Sequence, residues 1–415
     1  MADAALIQII QEQEMRKKVI LRLEDGTEFT GFSFGCEKSV TGEVVFNTAM
    51  MGYPESLTDP SYAGQLMVMT FPLVGNYGVP SSDAQKGGIS TFMESDRIYA
   101  SALICQDYSE MYSHWNAKES LADWLKREGV PGITGIDTRE LTKLLREKGS
   151  MMGKLLMEGD DADLDFGQYA GVNYVAQVSC KEIIRYKADE YEEPCNRLPE
   201  DTPAYAKVRG GKTPTVVLVD CGVKNNIIRC LLKRGIDVVR VPWNYDFNDL
   251  EFDGLFLANG PGDPDTCVDA VENIHRFMQR EVANGGTPRP IMGICMGNQL
   301  LAKAAGASIY KLKYGHRSHN QPVRMVGTNR CFITTQNHGY AVDGKTLPHD
   351  WKPLFVNMND GSNEGIRHST YPWFSAQFHP EACAGPIDTE FLFDEFISVL
   401  QDPAYQVLGD DKAVK

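Results

Sequence analysis

Two periodicities of apolar and polar positions divide the chain. From residue 18 to about 187, short apolar runs alternate with glycine-rich turns. The first, Val19-Ile20-Leu21-Arg22-Leu23 before Glu24-Asp25-Gly26, predicts a strand and a tight reversal. Helices are predicted over 120–128 and Thr138–Lys148, the second with Leu141, Leu144 and Leu145 on one face, Gly149 as its stop and a strand over 132–137 before it. The polar and aromatic stretch 46–62 has neither period and is expected to be an ordered loop. Residues 188–213 are charged and rich in proline and glycine, with few large apolar groups, and read as a linker. After it come a strand over 216–219, a helix over 225–234 with Ile227, Ile228, Leu231 and Leu232 inward, and strands over 237–241 and 255–258. The last of these runs into Asn259-Gly260-Pro261-Gly262-Asp263-Pro264 and a helix to about 283. Alternation of strand and helix predicts a parallel, doubly wound sheet that collects ligands at the carboxyl ends of its strands. Beyond Gly306, strands are expected near 309–313, 331–335, 355–358 and 374–378, then a helix over 389–400 and a tail from 403 to 415.

Chemistry is written most plainly in the stretch from Pro290 to Leu301. A short apolar run stops at Cys295, with Gly293 two positions before it and Gly297 two after, and a helical pattern follows over 298–305. That is the pattern of a nucleophile elbow, in which glycines let neighbouring backbone pass close by a sharply turned residue. A thiol above a helix N-terminus is favoured as thiolate by unpaired N–H groups and the helix dipole.

Composition narrows the possibilities. A chain of 415 residues with 42% hydrophobic content can bury more than one core. Its formal net charge of -15 argues against nucleic acid and anionic membrane as partners. The ten cysteines form no CxxC pair and no zinc-like spacing with histidine, so reduced thiols and no metal are expected. The start of the chain is polar and acidic, unlike a signal or transit peptide, and no apolar run approaches the roughly 20 residues that span a bilayer. A soluble, cytoplasmic protein is the expectation.

A cysteine nucleophile needs a base that can also protonate the leaving group. His379 follows the apolar run 373–378 and should sit at a strand end, while Pro380 stops helix continuation and Glu381 can return its carboxylate to the imidazole.

These segments together resemble the triad-type (class I) glutamine amidotransferases: Gly293-Ile294-Cys295-Met296-Gly297-Asn298-Gln299, Asn259-Gly260-Pro261-Gly262-Asp263-Pro264 and His379-Pro380-Glu381. Within that family the chain is most similar to the small, glutamine-hydrolysing subunits of carbamoyl-phosphate synthases. The residues that carry this are Tyr310-Lys311-Leu312-Lys313-Tyr314-Gly315-His316-Arg317, Gln336-Asn337-His338-Gly339-Tyr340 and Gly385-Pro386-Ile387-Asp388-Thr389. In the N-terminal half, Gly42-Glu43-Val44-Val45-Phe46-Asn47-Thr48, Leu57-Thr58-Asp59-Pro60-Ser61-Tyr62 and Ile136-Asp137-Thr138-Arg139 agree independently.

The resemblance implies an α/β fold, with a flavodoxin-like mixed sheet over 214–402 preceded by a separate α/β domain over 1–187 that docks to a large subunit. It further implies that Cys295 attacks the carboxamide of L-glutamine, His379 shuttles the proton and Glu381 orients His379. Gly262 and Met296 would supply oxyanion N–H groups, and Gly260, Gln299, Asn337, Gly339 and Tyr340 would hold the amino and carboxylate ends. No cofactor is implied in this chain, which has no Gly-x-x-x-x-Gly-Lys-Ser/Thr loop; ATP and Mg belong to the large subunit, for arginine or pyrimidine synthesis. Two departures stand out: Ala49 where the family often has serine, and Asn298 where related elbows often have histidine. A free-standing amidohydrolase and a catalytically silent regulatory subunit are the alternatives.

Overall fold

The computed structural model describes residues 16–160, 164–191 and 212–402. The expected linker therefore lies mostly outside the described residues, and the tail from 403 wholly so. The chain forms two compact units, one running to Ala84 and from Phe92 to Ala170, the other made of Gln85–Thr91 and everything from Gly171 on.

The first unit is a closed barrel of seven strands. Around the ring they run Lys18–Leu23, Glu28–Ser33, Gly132–Thr134, Ala102–Cys105, Gln65–Met69, Val40–Asn47 and Met151–Met157. Alternation decides which side chains fill it: Val19, Leu21 and Leu23 are fully buried, whereas Lys18 and Arg22 face outward. Closure leaves the ring no open edge. The helix Leu121–Glu128 starts where the Ser120 side chain accepts from the Asp123 N–H, and stops at left-handed Gly129. Thr138–Lys148 is capped in the same way by Asp137, and buries Leu141 and Leu145 more fully than Leu144. The expected loop over 46–62 needs correction. It holds an α-helix, Tyr53–Thr58, and a 3-10 turn, Pro60–Tyr62, with Tyr53, Leu57 and Tyr62 buried. Six residues are too few to show a helical period, so proline at the first turn and left-handed Gly52 were the available signals.

The second unit is built on a ten-stranded mixed sheet. Its order is Ile184–Tyr186, Asp237–Pro242, Thr215–Asp220, Gly254–Leu257, Ile291–Ile294, Trp373–Ala376, Asn363–His368, Trp351–Asn357, Ile309–Met325 and Cys331–Val342. The five strands from Asp237–Pro242 to Trp373–Ala376 are parallel neighbours, and the remaining pairings are antiparallel. Successive residues of one strand feed two cores. Val216 and Leu218 pack with the helices Asn225–Lys233 and Phe391–Gln401, while Val217 and Val219 pack with Val268–Ala283 and Met296–Ala305. Burying each such aliphatic or aromatic side chain contributes about 1.5–3 kcal/mol, which fixes the strand ends that carry the chemistry.

Two expectations meet a different structure here. The boundary expected at 187 falls inside this unit, because Ile184–Tyr186 adds an antiparallel edge strand to Asp237–Pro242 and the helix Tyr174–Val178 buries Val175. Edge strands accept charged residues, so Lys181, Arg185 and Lys187 concealed it. The strand expected over 309–313 extends across 17 residues, with register shifts that absorb Gly315 and His319, while Pro322 pairs in register with Ile333.

Candidate active site

Cys295 lies between the strand Ile291–Ile294 and the helix Met296–Ala305, with φ 55° and ψ −104°. A non-glycine residue there costs about 1–3 kcal/mol and persists only if its surroundings impose it. They do. A Cβ on Gly297 would lie 2.1 Å from the Leu257 carbonyl oxygen, and one on Gly293 2.6 Å from that of Gly297, so both positions require glycine. The Cys295 N–H donates to the Ala376 carbonyl at 2.9 Å, tying the elbow to the neighbouring parallel strand. Asn298 reinforces this tie, donating to Gln377 Oε1 at 2.9 Å and accepting from Ser375 Oγ at 2.8 Å. The buried Cys295 Sγ is directed at the Asn337 carbonyl, 3.7 Å away.

His379 follows the strand Trp373–Ala376, and its N–H donates to the Thr335 carbonyl at 2.9 Å. Its Nδ1 is 2.6 Å from Glu381 Oε1, whereas Nε2 is buried and without a hydrogen-bond partner among the described residues. Burial alone would lower the imidazole, but the Glu381 carboxylate, with Cys295, outweighs it and holds the imidazolium up at about 10. Burial would likewise raise the Glu381 carboxyl, yet Lys224 and then His379 hold it down at about 2.

Lys224 is the residue that sequence reasoning missed. Only 4% exposed, it places Nζ 3.1 Å from Glu381 Oε1 and donates to the Ala382 carbonyl at 2.7 Å. Its neighbour Asn226 donates to the Glu381 carbonyl at 2.5 Å. The signal was available in its position, a cation just past the carboxyl end of the parallel strand Thr215–Asp220, where a doubly wound sheet gathers its functional groups.

The remaining candidates line the same strand ends. A Cβ on Gly260 would lie 2.1 Å from the Cys221 carbonyl oxygen, and Gly262 adopts φ +84°. Met296 opens the helix, in the first turn where N–H groups lack intrahelical partners. Gln299 donates Nε2 to the Tyr340 carbonyl at 3.0 Å and to Gln377 Oε1 at 3.2 Å, joining the elbow helix to the strand that carries Asn337, Gly339 and Tyr340.

On the other face of that strand, His316, His338 and Glu364 are buried, with ligand-type atoms within 4.8 Å of one another, close enough to share a cation. Carboxylates already meet both nitrogens of His316, Asp360 at 2.9 Å and Glu364 at 3.3 Å. Burial would lower this imidazole, but the two acids raise it to about 9, so the group satisfies itself as an ion pair. His338 is pushed well below its ordinary value, first by burial and then by His316, and its Nδ1 lies 2.9 Å from the Tyr340 carbonyl.

Comparison with known proteins gives the family. The carbamoyl-phosphate synthase small chain, CPSase domain, matches residues 21–155, and glutamine amidotransferase class-I matches 217–399. The carbamoyl phosphate synthase arginine-specific small chain of Saccharomyces cerevisiae is 47% identical over 400 residues, covering 95% of this chain and 91% of that one. The chain belongs to the carbamoyl-phosphate synthase small-chain family. As the family predicts, a separate N-terminal α/β domain precedes a class I amidotransferase domain. Longer proteins carry small-chain sequence as well. Multifunctional protein pyr1-3 of Dictyostelium discoideum is 49% identical over 393 residues, 92% of this chain and 17% of its own length. The mitochondrial carbamoyl-phosphate synthase [ammonia] of Homo sapiens is 46% identical over 381 residues, 91% of this chain and 23% of its own. The chain thus spans about a fifth of the length of such relatives. Among the described residues, no helix is long and apolar enough to cross a membrane.

Proposed function

We propose that this chain hydrolyses L-glutamine to glutamate and ammonia, and passes the ammonia to a large subunit that makes carbamoyl phosphate from bicarbonate and ATP. Overall likeness alone does not select glutamine, since one relative at 46% identity is named for ammonia. The observation that carries the reading is Cys295 on a strained elbow, with the buried pair His379 and Glu381 at 2.6 Å on the adjacent strand end.

The chemistry follows from these groups. Transfer of the thiol proton to His379 Nε2 gives a thiolate beside an imidazolium, the charge state that the Glu381 carboxylate favours. Sγ then adds to the carboxamide carbon, and the oxyanion is met by backbone N–H groups of Met296 and Gly262. Imidazolium gives its proton to the departing nitrogen as the C–N bond breaks, releasing ammonia and leaving a glutamyl thioester. Neutral His379 takes a proton from water, hydroxide displaces Sγ, and glutamate leaves. None of these steps needs a cofactor; ATP and Mg are assigned to the large subunit.

The test is ammonia release from L-glutamine by the purified chain, alone and with its large subunit, bicarbonate and ATP. Slow release alone and faster release in the complex is expected. No release under either condition would refute the reading, and a rate indifferent to partner and nucleotide would favour a free-standing amidohydrolase.

A further inference from the structure

Four buried side chains from three strands meet in the interior of the second unit: His316 on Ile309–Met325, Gln336 and His338 on Cys331–Val342, and Glu364 on Asn363–His368. His316 pairs directly with His338 across the first two strands. The hydrogens in this cluster can be placed one by one. His338 Nδ1 lies 2.9 Å from the Tyr340 carbonyl, which only accepts, so this nitrogen carries the hydrogen. Burial, then His316, keeps the ring neutral and leaves a lone pair on Nε2. The Thr334 hydroxyl donates to the Gln321 carbonyl at 2.9 Å, and therefore accepts from Gln336 Nε2 at 3.1 Å. That turns Gln336 Oε1 toward His338 Nε2, 3.0 Å away. Glu364 Oε2 is buried, makes no hydrogen bond and lies 3.9 Å from the same nitrogen. Three acceptors thus face one another with no hydrogen between them. The ion pair with His316 satisfies Glu364 Oε1, but not this meeting of lone pairs, which calls for a cation.

Geometry and ligand type say which cation. Donor atoms about 2.0–2.1 Å from a tetrahedral zinc ion stand about 3.3 Å from one another. His316 Nδ1 and Glu364 Oε1 are 3.3 Å apart, and the ligand atoms of His316, His338 and Glu364 all lie within 4.8 Å of one another. The two imidazoles are nearly perpendicular, with centroids 4.9 Å apart. Each ring also has, on its other nitrogen, the outer acceptor that orients a metal-bound histidine: Asp360 Oδ2 is 2.9 Å from His316 Nε2, and the Tyr340 carbonyl serves His338. Two nitrogens with a carboxylate and an amide oxygen suit zinc or a neighbouring transition ion better than magnesium or calcium, which take oxygen.

We propose that His316 Nδ1, His338 Nε2, Glu364 and Gln336 Oε1 form a structural zinc site that pins the strand carrying Asn337 and Gly339 to its neighbours. Binding displaces the His316 Nδ1 proton, and the divalent ion then stands against two carboxylates, Glu364 and Asp360, so the charge balances. Ligands drawn from three strands leave no spacing signature, which is why the sequence suggested no metal. The site is independent of the glutaminase reading.

The experiment titrates Zn²⁺ and Co²⁺ into the chelator-treated, desalted full chain. One ion per chain is expected, with a Kd of about 0.1 μM or tighter. Zinc at about 100 times Kd should raise Tm by about 5 °C. Co²⁺ should give the visible bands of a four-coordinate ion without the near-ultraviolet charge-transfer band of a thiolate ligand, which separates this site from the cysteines, Cys295 included. Glu364→Gln should weaken zinc binding by at least about 100-fold, and Asp360→Asn, which alters only the outer partner of His316, by about 10- to 100-fold. Asp360 is partly exposed, so its variant tests the proposal even if Glu364→Gln folds poorly. No tight zinc binding by wild type, a Co²⁺ spectrum carried by thiolate, or unchanged affinity in either folded variant would overturn the proposal.

Discussion

Lys224 Nζ lies 3.1 Å from Glu381 Oε1, and both side chains are buried. One carboxylate oxygen thus serves two cations, because His379 Nδ1 meets the same Oε1 at 2.6 Å. Breaking a buried pair from one side leaves an uncompensated charge and costs about 3–5 kcal/mol. Lys224→Met should therefore be less stable at pH 7 by about 3 kcal/mol, since His379 still partners the carboxylate. The sign with pH follows from the depressed Glu381 pKa. Its contribution is complete above the ordinary carboxylate range and is lost as pH falls through about 2. The gap between variant and wild type should narrow on acidification, and urea denaturation at pH 7 and pH 3 measures it. A gap equal at both values would mean that Lys224 contributes packing rather than charge.

His379 and Glu381 are expected to fail in different ways. His379→Asn removes the proposed proton shuttle, with an expected loss of about 10² to 10⁴ in rate. Glu381→Gln keeps the shuttle and should cost less. With the carboxylate gone, burial prevails and the imidazole falls from about 10, so the alkaline limb of glutamine hydrolysis moves to lower pH. In wild type, the stabilising contribution of this raised His379 is present below its unfolded pKa and disappears as pH rises through about 10. Rate profiles of the two variants from pH 6 to 10 decide the assignment. An unshifted alkaline limb in Glu381→Gln would assign it to another group.

Gly297→Ala should damage the elbow before it touches any chemistry. The added Cβ meets the Leu257 carbonyl at 2.1 Å, backbone that sheet pairing with Ile291–Ile294 holds in place. Overpacking of this kind costs about 1–3 kcal/mol, or more where backbone must move. Thermal unfolding should register that loss together with slower alkylation of Cys295 by a glutamine-like electrophile. Unchanged stability would show that the strand can retreat.

What could be read from sequence, and what could not, follows from the range of the interactions. Glycines flanking Cys295 and the apolar run before His379 are local patterns, so both ends of the site were visible at the level of single elements. Lys224 was not, because its role depends on a contact 157 positions along the chain, with a carboxylate whose burial only the folded sheet creates. The helix Tyr53–Thr58 and the edge strand Ile184–Tyr186 escaped for a simpler reason: each is too short for its period to stand out from a polar neighbourhood.

Cys295→Ser separates the two halves of the proposed reaction. Serine preserves the size of the side chain on the elbow, but an alcohol is a much weaker nucleophile near neutral pH than a thiol that His379 can deprotonate. The sequence has no Gly-x-x-x-x-Gly-Lys-Ser/Thr loop for nucleotide phosphates, and small-chain sequence fills only 17% and 23% of two longer relatives, leaving ample chain there for other chemistry. If the ATP-using steps lie in a separate large subunit, the variant complex should lose glutamine-dependent carbamoyl phosphate synthesis by at least about 10³-fold, while synthesis from added ammonium stays within about two-fold of wild type. Parallel assays with glutamine and with ammonium chloride make the comparison. Loss of both activities would place this chain inside the synthetic reaction itself, and retention of both would remove Cys295 from the chemistry.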